Sequence, residues 1–413
     1  RNLLPRLARH IPETFRSTDA TRLRRWFLLY SGTEPGAPAL HQWLERIQIY
    51  FEKQRPNSQG IYEGVLSNFP EIVAHLYQRF QNKPFSITRL ETYAQCPIKF
   101  FFRYILGIRE PEEIETGLTP LERGQLVHHT LFRFYNLLRE KGVQREPWLQ
   151  EPLLLEIARE EFDNLPFRGL LFELEKEKYF GSPKNPGVWK RFLEREKEAI
   201  ETHHFYPTYF ELAFGRAGSP REQDPDSRST PVVLQRNGQE ILLTGKVDRV
   251  DTNEQGQALL LDYKTGKSFS KPEEIKDGLA LQLPLYAAVL PKLINREDVE
   301  PVYAAFYQIK DEENCKRVPV MIDGQCGITF GVRGKALLPN KSILDDSGNP
   351  LTFEGMLERV EDFIVTYITG ITGGKFRHSR YPDKPFCKSY CEFRRICRKD
   401  VNKLRRLAEA REV

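Results

Sequence analysis

No apolar run in these 413 residues approaches the roughly 18 that suggest a membrane span, and the best, around Phe100–Leu106, is interrupted by Arg103. Cysteine is scarce. Six in a chain of this length are too few for a disulfide scaffold, which points to a reducing compartment. Internal repeats and coiled-coil heptads are also lacking, so the chain is neither a solenoid nor a long supercoil. A phosphate-binding loop is only imitated. Thr265-Gly266-Lys267-Ser268 resembles the end of one, but Leu261 stands where the loop needs glycine, so the chain has no ATP motor of its own. What remains is a composition that can build a core: 40% hydrophobic residues, with 27 Phe and 17 Tyr. That excludes a disordered or collagen-like chain, and the length predicts two or three domains at roughly 150 residues each.

The formal net charge of +5 is unevenly spread. Between Lys375 and Arg406 there are twelve Lys or Arg against only Asp383, Glu392 and Asp400. Residues 1–25 hold seven Arg against Glu13 and Asp19, which leaves the middle of the chain net acidic. Two basic ends suit a polyanion partner, although a solvated basic face carries the same pattern. Glu13 and Asp19 speak against an Arg-rich transit peptide, and the Arg start points to a processed chain or an excised piece.

Residues 1–82 read as mostly helical, with breaks at Arg55–Gly60 and at Lys83-Pro84. Ser86 is placed to cap a helix through Tyr93, and Gly124–Arg139 and 150–213 read as helix, the latter interrupted at Pro166 and Gly181-Ser182-Pro183. Residues 215–231 read as loop. Ile241–Asp251 and Ala258–Lys264 then form two strand-like runs joined by Asn253–Gln257, a hairpin signal. Helix is expected again at Leu279–Ile294 and Phe353–Ile368, with a strand at Val302–Ile309. The fold class is α/β.

The hairpin carries the densest chemistry. Residues i and i+2 of a strand share a face, so Asp262 and Lys264 project together, away from Leu261 and Tyr263. Asp248 on the preceding strand can approach Asp262, and two close carboxylates repel unless a cation sits between them. Mg²⁺ or Mn²⁺ fits such an oxygen-rich site, with Lys264 stabilising charge on a phosphate. Asp-x-Lys alone is more often the mark of a surface ion pair. Helical spacing sets His128 with Leu131, Phe132 and Tyr135, inward, and His129 outward; an inward His is more often a hydrogen-bonded core residue, but given the carboxylate pair His128 is the natural nitrogen ligand. Gln282 and Tyr286, at i and i+4, share one helix face and can reach a phosphate or satisfy core backbone groups. Pro284 requires that they lie in the first turn or beside a kink.

Four of the six cysteines form a second set: Cys96, then Cys387, Cys391 and Cys397 at spacings of three and five residues. Thiols clustered in an Arg/Lys-rich stretch suit a metal centre. A 4Fe-4S cluster is favoured over a structural Cys₄ zinc, because zinc sites usually pair their cysteines in knuckles. Closing a loop of roughly 290 residues is worth on the order of 4–5 kcal/mol, if the centre acts like a disulfide of that span. Cys315 and Cys326 read as ordinary thiols.

Taken in order, Ser86–Tyr93, Cys96-Pro97, Phe100-Phe101, Gly124 with Val127-His128, Gly245–Asp251, Asp262-Tyr263-Lys264, Gln282–Tyr286 and the cysteine tail resemble the PD-(D/E)XK nuclease superfamily. The likeness is to its RecB-like exonuclease domains with an iron–sulfur staple, as in the C-terminal part of AddB-type subunits of helicase–nucleases. The resemblance implies a restriction-endonuclease-like core over 85–413, with a helical insertion at about 140–213 and a basic cysteine tail at 375–406. It makes 1–84 the end of a preceding helicase-like region, and the chain a fragment of a longer polypeptide. It further implies that His128, Asp248, Asp262 and the Tyr263 carbonyl bind the metal and that Lys264 is the catalytic lysine. Glu211 matches an acidic residue that precedes the hairpin, and Gln282 and Tyr286 match the family's QxxxY pattern. One departure stands out: the family tail is usually C-x2-C-x5-C, whereas three residues separate Cys387 from Cys391. The expected activity is hydrolysis of DNA, on single strands fed by an AddA-type partner in the bacterial cytoplasm. The alternatives are a stand-alone nuclease of the CRISPR-adaptation type and a DNA-binding scaffold with a degenerate site.

Overall fold

The structure, a computed structural model, describes residues 63–409 except 111–116, 217, 220–221, 267–269, 271, 297, 312, 314, 323–330, 333–334, 337–351 and 398. The helical reading of 1–62 and the thiol of Cys326 lie outside these residues. In chain order the elements are α1 (Pro70–Phe80), β1 (Phe85–Ser86), α2 (Ile87–Gln95), α3 (Pro97–Phe100), α4 (Pro120–Glu140), α5 (Glu151–Asp163), α6 (Leu170–Phe180) and α7 (Gly187–His203). Then come β2 (Tyr206–Phe214), β3 (Val232–Arg236), β4 (Gln239–Thr252), β5 (Gln257–Lys264), α8 (Pro272–Lys276), α9 (Gln282–Ile294), β6 (Glu300–Ile309) and β7 (Cys315–Ile322). After the two-residue strands β8 (Gly331–Val332) and β9 (Lys335–Ala336), α10 (Phe353–Thr372), α11 (Pro385–Lys388) and α12 (Val401–Glu409) complete the order.

Two compact units result. The larger comprises the described parts of Tyr77–Gln95 and Arg109–Gly370; the smaller, those of Arg1–Leu76, Cys96–Ile108 and Ile371–Val413. A mixed seven-stranded sheet forms the larger unit, in the order β1-β4-β5-β6-β7, with β2 and β3 pairing successive lengths of the long β4. β4 and β5 form the expected antiparallel hairpin, and β5 and β6 run parallel. The connection between those two parallel strands carries α9, as parallel pairing requires.

Leu259, Leu261 and Tyr263 of β5 pack with Tyr303 and Tyr307 of β6 and with Val127, Leu131 and Tyr135 of α4, in one apolar core that α5, α6 and α7 extend. Alternation sends Asp262 to the other face, where α9 lies. The start of α4 is fixed locally. Thr119 and Glu122 form a capping box, each side chain bonded to the other's backbone N–H, and Pro120 occupies the first turn.

Residues 206–213, read above as helix, belong instead to β2, paired antiparallel with β4. Its residues from Phe210 to Phe214 are buried on both faces, so the alternation that marks a strand is absent. Residues 215–231 contain no helix or strand among those described, as expected. No described helix is long and apolar enough to cross a membrane.

Candidate active site

The hairpin and α4 converge on one point. His128, on the inward face of α4, has Nδ1 at 2.9 Å from Glu211 Oε1 and 3.6 Å from Asp248 Oδ1, while Nε2 lies 3.3 Å from the Tyr263 carbonyl. One ligand atom from each of His128, Glu211 and Asp248 falls within 4.8 Å of the other two. His129, one residue on, pairs with Glu161 at 3.2 Å and is half-exposed, so the two histidines divide as helical spacing requires.

Asp248 Oδ2 accepts the Tyr263 N–H at 2.9 Å, which inserts its side chain where the β4–β5 ladder opens. Asp262 is ion-paired with Lys264, and its Oδ1 accepts from Gln282 Nε2 at 2.5 Å. Gln282 is the first residue of α9, which puts Pro284 in the first turn, where a missing N–H costs nothing. Tyr286, one turn on, brings its hydroxyl to 3.4 Å from the Lys246 N–H. Gly245 makes this approach possible: a Cβ there would lie 2.8 Å from both Phe214 and the Tyr286 ring. The spacing-based candidates of the hairpin, α4 and α9 thus lie at one place.

Two residues the sequence reading did not single out also belong here. Lys246 ion-pairs with Glu211. Glu91 of α2, partly buried, accepts the N–H groups of Leu281 and Gln282 at 2.7 and 2.9 Å, capping α9 from 190 positions away. Lys246 had a legible signal, since it shares the strand face of Asp248; Glu91 had none.

The electrostatics suit a cation. Burial, with help from Asp262 and Glu211, pushes the Asp248 carboxyl up to about 7 despite His128 and Lys264. Burial opposes charge on His128, but Asp248 and Glu211 outweigh it and raise the imidazole to about 9. A carboxyl that burial and neighbouring acids raise so far is one whose charged form a divalent ion would stabilise. The donor set, one imidazole nitrogen with carboxylate and carbonyl oxygens, fits Mg²⁺ or Mn²⁺.

Beneath the hairpin lies a buried ionic network. Arg249 donates to both Asp251 oxygens at 2.5 and 2.8 Å and to the Tyr135 hydroxyl at 2.9 Å, and pairs with Glu196 at 2.6 Å. Arg317 reaches Glu196 at 2.8 Å and Asp251 at 3.6 Å. Arg249 adjoins Asp248, and Tyr135 sits two turns beyond His128. The network therefore clamps the two elements that supply the site.

In the smaller unit Cys96, Cys387, Cys391 and Cys397 line one cavity with Lys99 and Lys399. Cys96 stands at the N-cap position of α3 with no side-chain capping bond, Cys387 lies on α11, and Lys399 Nζ donates to the Cys387 sulfur at 2.7 Å. Burial pushes the Cys96 thiol up to about 11 and raises Cys391 as well. Four thiols facing one cavity fit a cationic centre that binds them deprotonated. Cys315 is buried in the other unit's apolar core.

A sequence model of the PD-(D/E)XK nuclease superfamily matches residues 84–398. Curated relatives are named as the B subunit of an ATP-dependent helicase/deoxyribonuclease. That of Carboxydothermus hydrogenoformans is 24% identical over 89% of this chain and 38% of its own length. That of Clostridium botulinum (strain Loch Maree) is 27% identical, covering 75% of this chain and 27% of the relative. For Thermoanaerobacter sp. (strain X514) the figures are 27%, 65% and 24%. The chain therefore spans about a quarter to two fifths of the relatives it matches.

Proposed function

The chain belongs to the PD-(D/E)XK nuclease superfamily, and on that premise we propose that it is a metal-dependent deoxyribonuclease, the nuclease part of a helicase–nuclease acting in DNA repair. The observation that carries this reading is the convergence of His128, Glu211 and Asp248 beside Asp262 and Lys264. In this reading His128, Asp248, Asp262, Glu211 and the Tyr263 carbonyl hold Mg²⁺ or Mn²⁺. Bound there, the ion supplies Lewis acidity toward a phosphodiester and a nucleophile at neutral pH.

The chain's own residues set the geometry. Lys264, tethered by Asp262, presents a cation to charge developing on phosphorus. Gln282 orients Asp262 through its amide, and the Tyr263 N–H fixes the rotamer of Asp248. Tyr286 braces β4 at Lys246. Exposed Arg394 and Arg395 in the basic tail suit backbone phosphates. Cys96, Cys387, Cys391 and Cys397 would hold a structural 4Fe-4S cluster, a role that their shared cavity supports. The relatives' name, the B subunit of an ATP-dependent helicase/deoxyribonuclease, supports a helicase–nuclease partner subunit of AddA type, and single strands in the bacterial cytoplasm complete the proposal.

The test is cleavage of labelled single- and double-stranded DNA, with and without Mg²⁺ or Mn²⁺. Ion-dependent cleavage that Asp262→Ala abolishes is the expected result. Cleavage in the presence of chelator, or none with any divalent ion, would overturn the reading.

A further inference from the structure

Antiparallel pairing of β4 with β5 sets Arg249 opposite Leu261. Past that pair the ladder opens, with Asp248 taking the Tyr263 N–H; Lys246 and Asp248 lie two apart on β4, and Asp262 and Lys264 two apart on β5. Each lysine therefore stands two residues from an acid of the site on the same strand face. Each is also ion-paired with a carboxylate: Lys264 with Asp262, and Lys246 with Glu211. Exposure separates the two charge types. The Asp248, Asp262 and Glu211 side chains are 8%, 2% and 4% exposed, whereas those of Lys246 and Lys264 are 36% and 32% exposed. A polyanion approaching from solvent meets the lysines first.

Glu211 is held in an unusual way. Its φ is +53°, left-handed backbone that a non-glycine residue rarely adopts, in the middle of β2. The twist carries its carboxylate to both His128 and Lys246. Glu211 Oε1 faces His128 and Oε2 faces Lys246, so the candidate ion site and a lysine ammonium share this side chain. The two cations compete for one buried carboxylate.

We propose that Lys246 is a second phosphate-binding lysine of the site, tied to Glu211 in the metal-free protein and released to a DNA backbone phosphate when a divalent cation takes the Glu211 carboxylate. The proposal rests on the nuclease reading above and deepens it: the ligand of Lys246 is a phosphodiester next to the one cleaved. Like charges repel, so an ion at Glu211 displaces the ammonium toward solvent. The lysine stem, anchored on β4 opposite Ala213, keeps its tip at the site.

The test uses the full chain with Lys246→Met, which keeps the apolar stem, and Lys246→Arg, which keeps the charge. Mn²⁺ is titrated by calorimetry without DNA. A fluorescent single-stranded oligonucleotide is bound in EDTA, and cleavage is followed in Mn²⁺ over a range of salt. For Lys246→Met, removal of the competing cation should tighten Mn²⁺ binding by about threefold or more. Binding of the oligonucleotide in EDTA should match wild type, because there the lysine is held by Glu211. In Mn²⁺ the KM should rise about tenfold, the worth of one charge-assisted contact, and Lys246→Arg should restore it. The salt slope should fall by about 0.7, one phosphate on a single strand. Weaker Mn²⁺ binding in Lys246→Met would overturn the proposal and leave the lysine a structural support of Glu211. An unchanged KM and salt slope would remove the phosphate contact, and weaker binding in EDTA would remove the release. Wild type that neither binds Mn²⁺ nor cleaves would instead sink the nuclease reading itself.

Discussion

Arg249→Met tests how far the site depends on the charges buried under it. Arg249 is fully buried, and its guanidinium serves Asp251 through two nitrogens and Tyr135 and Glu196 through a third. With Arg317, the network holds two cations and two carboxylates and is neutral. Methionine fills similar space but leaves Glu196 and Asp251 facing Arg317 alone, one uncompensated negative charge in the core. Breaking a buried pair in this way costs about 3–5 kcal/mol. A domain of this size loses about 2–4 °C per kcal/mol, so the melting temperature should fall on the order of 10 °C. Denaturant titration should show a lower midpoint at an unchanged slope. Charge balance makes a sharper demand. Adding Glu196→Gln to Arg249→Met restores neutrality, so the double variant should be more stable than the sum of the two single losses allows, by about 0.5–3 kcal/mol. A loss below about 1 kcal/mol for Arg249→Met, or strictly additive losses, would mean that charge balance is not what holds the network together.

Other outcomes follow from the same geometry. Asp262→Ala and Lys264→Ala should each abolish cleavage while leaving melting and oligonucleotide binding in EDTA near wild type; retained cleavage in both would exclude their roles. His128→Ala should weaken Mn²⁺ binding measured by calorimetry, whereas His129→Ala, which loses a half-exposed pair with Glu161, should leave it unchanged. In acid, Glu196 should matter. Although burial opposes its charge, Arg249 and Arg317 hold its carboxyl down to about 2, so its contribution is present above pH 4.5 and lost as pH falls from there toward 2. Subtracting the melting curve of Glu196→Gln from that of wild type over this window isolates that loss. Cys96→Ala should remove iron and sulfide from freshly purified protein and lower its melting temperature, while Cys315→Ala should leave the iron content unchanged; zinc in stoichiometric amount would replace the cluster with a zinc staple.

The parts of the fold that the sequence made legible are those whose burial has a clean period or whose turns carry their own chemistry. The β4–β5 hairpin shows both, with Asn253 Oδ1 accepting the N–H groups of Gln255 and Gln257 in the turn. α4 shows its facing through His128 and His129. Strand β2 was hidden because both of its faces are covered. β7 was hidden by Pro319, which argues against a strand unless it sits at an edge or a bulge. It sits at both: β7 ends the sheet order, and the register with β6 shifts beside Pro319. Spacing brought Cys96 together with the distant cysteine tail, but it carried no trace of the Lys399 contact to Cys387.

The acids of the site show where such reading runs out. Their identity follows from spacing on a strand, but their behaviour is set by donors from elsewhere in the chain. The N-cap of α9 is Leu281, a residue whose side chain cannot cap, and the N–H groups of Leu281 and Gln282 are met by Glu91 instead. A cap drawn from 190 residues away obeys the same hydrogen-bond arithmetic as a local one, yet leaves no pattern in the neighbouring sequence. The consequence reaches the chemistry directly, because the capped residue is Gln282, whose side chain then holds Asp262. Glu211 repeats the lesson through its backbone, where a left-handed φ that no motif announces turns its carboxylate toward His128 and Lys246. Composition and period decide which groups can take part, and tertiary donors decide how each acid is held when a cation arrives.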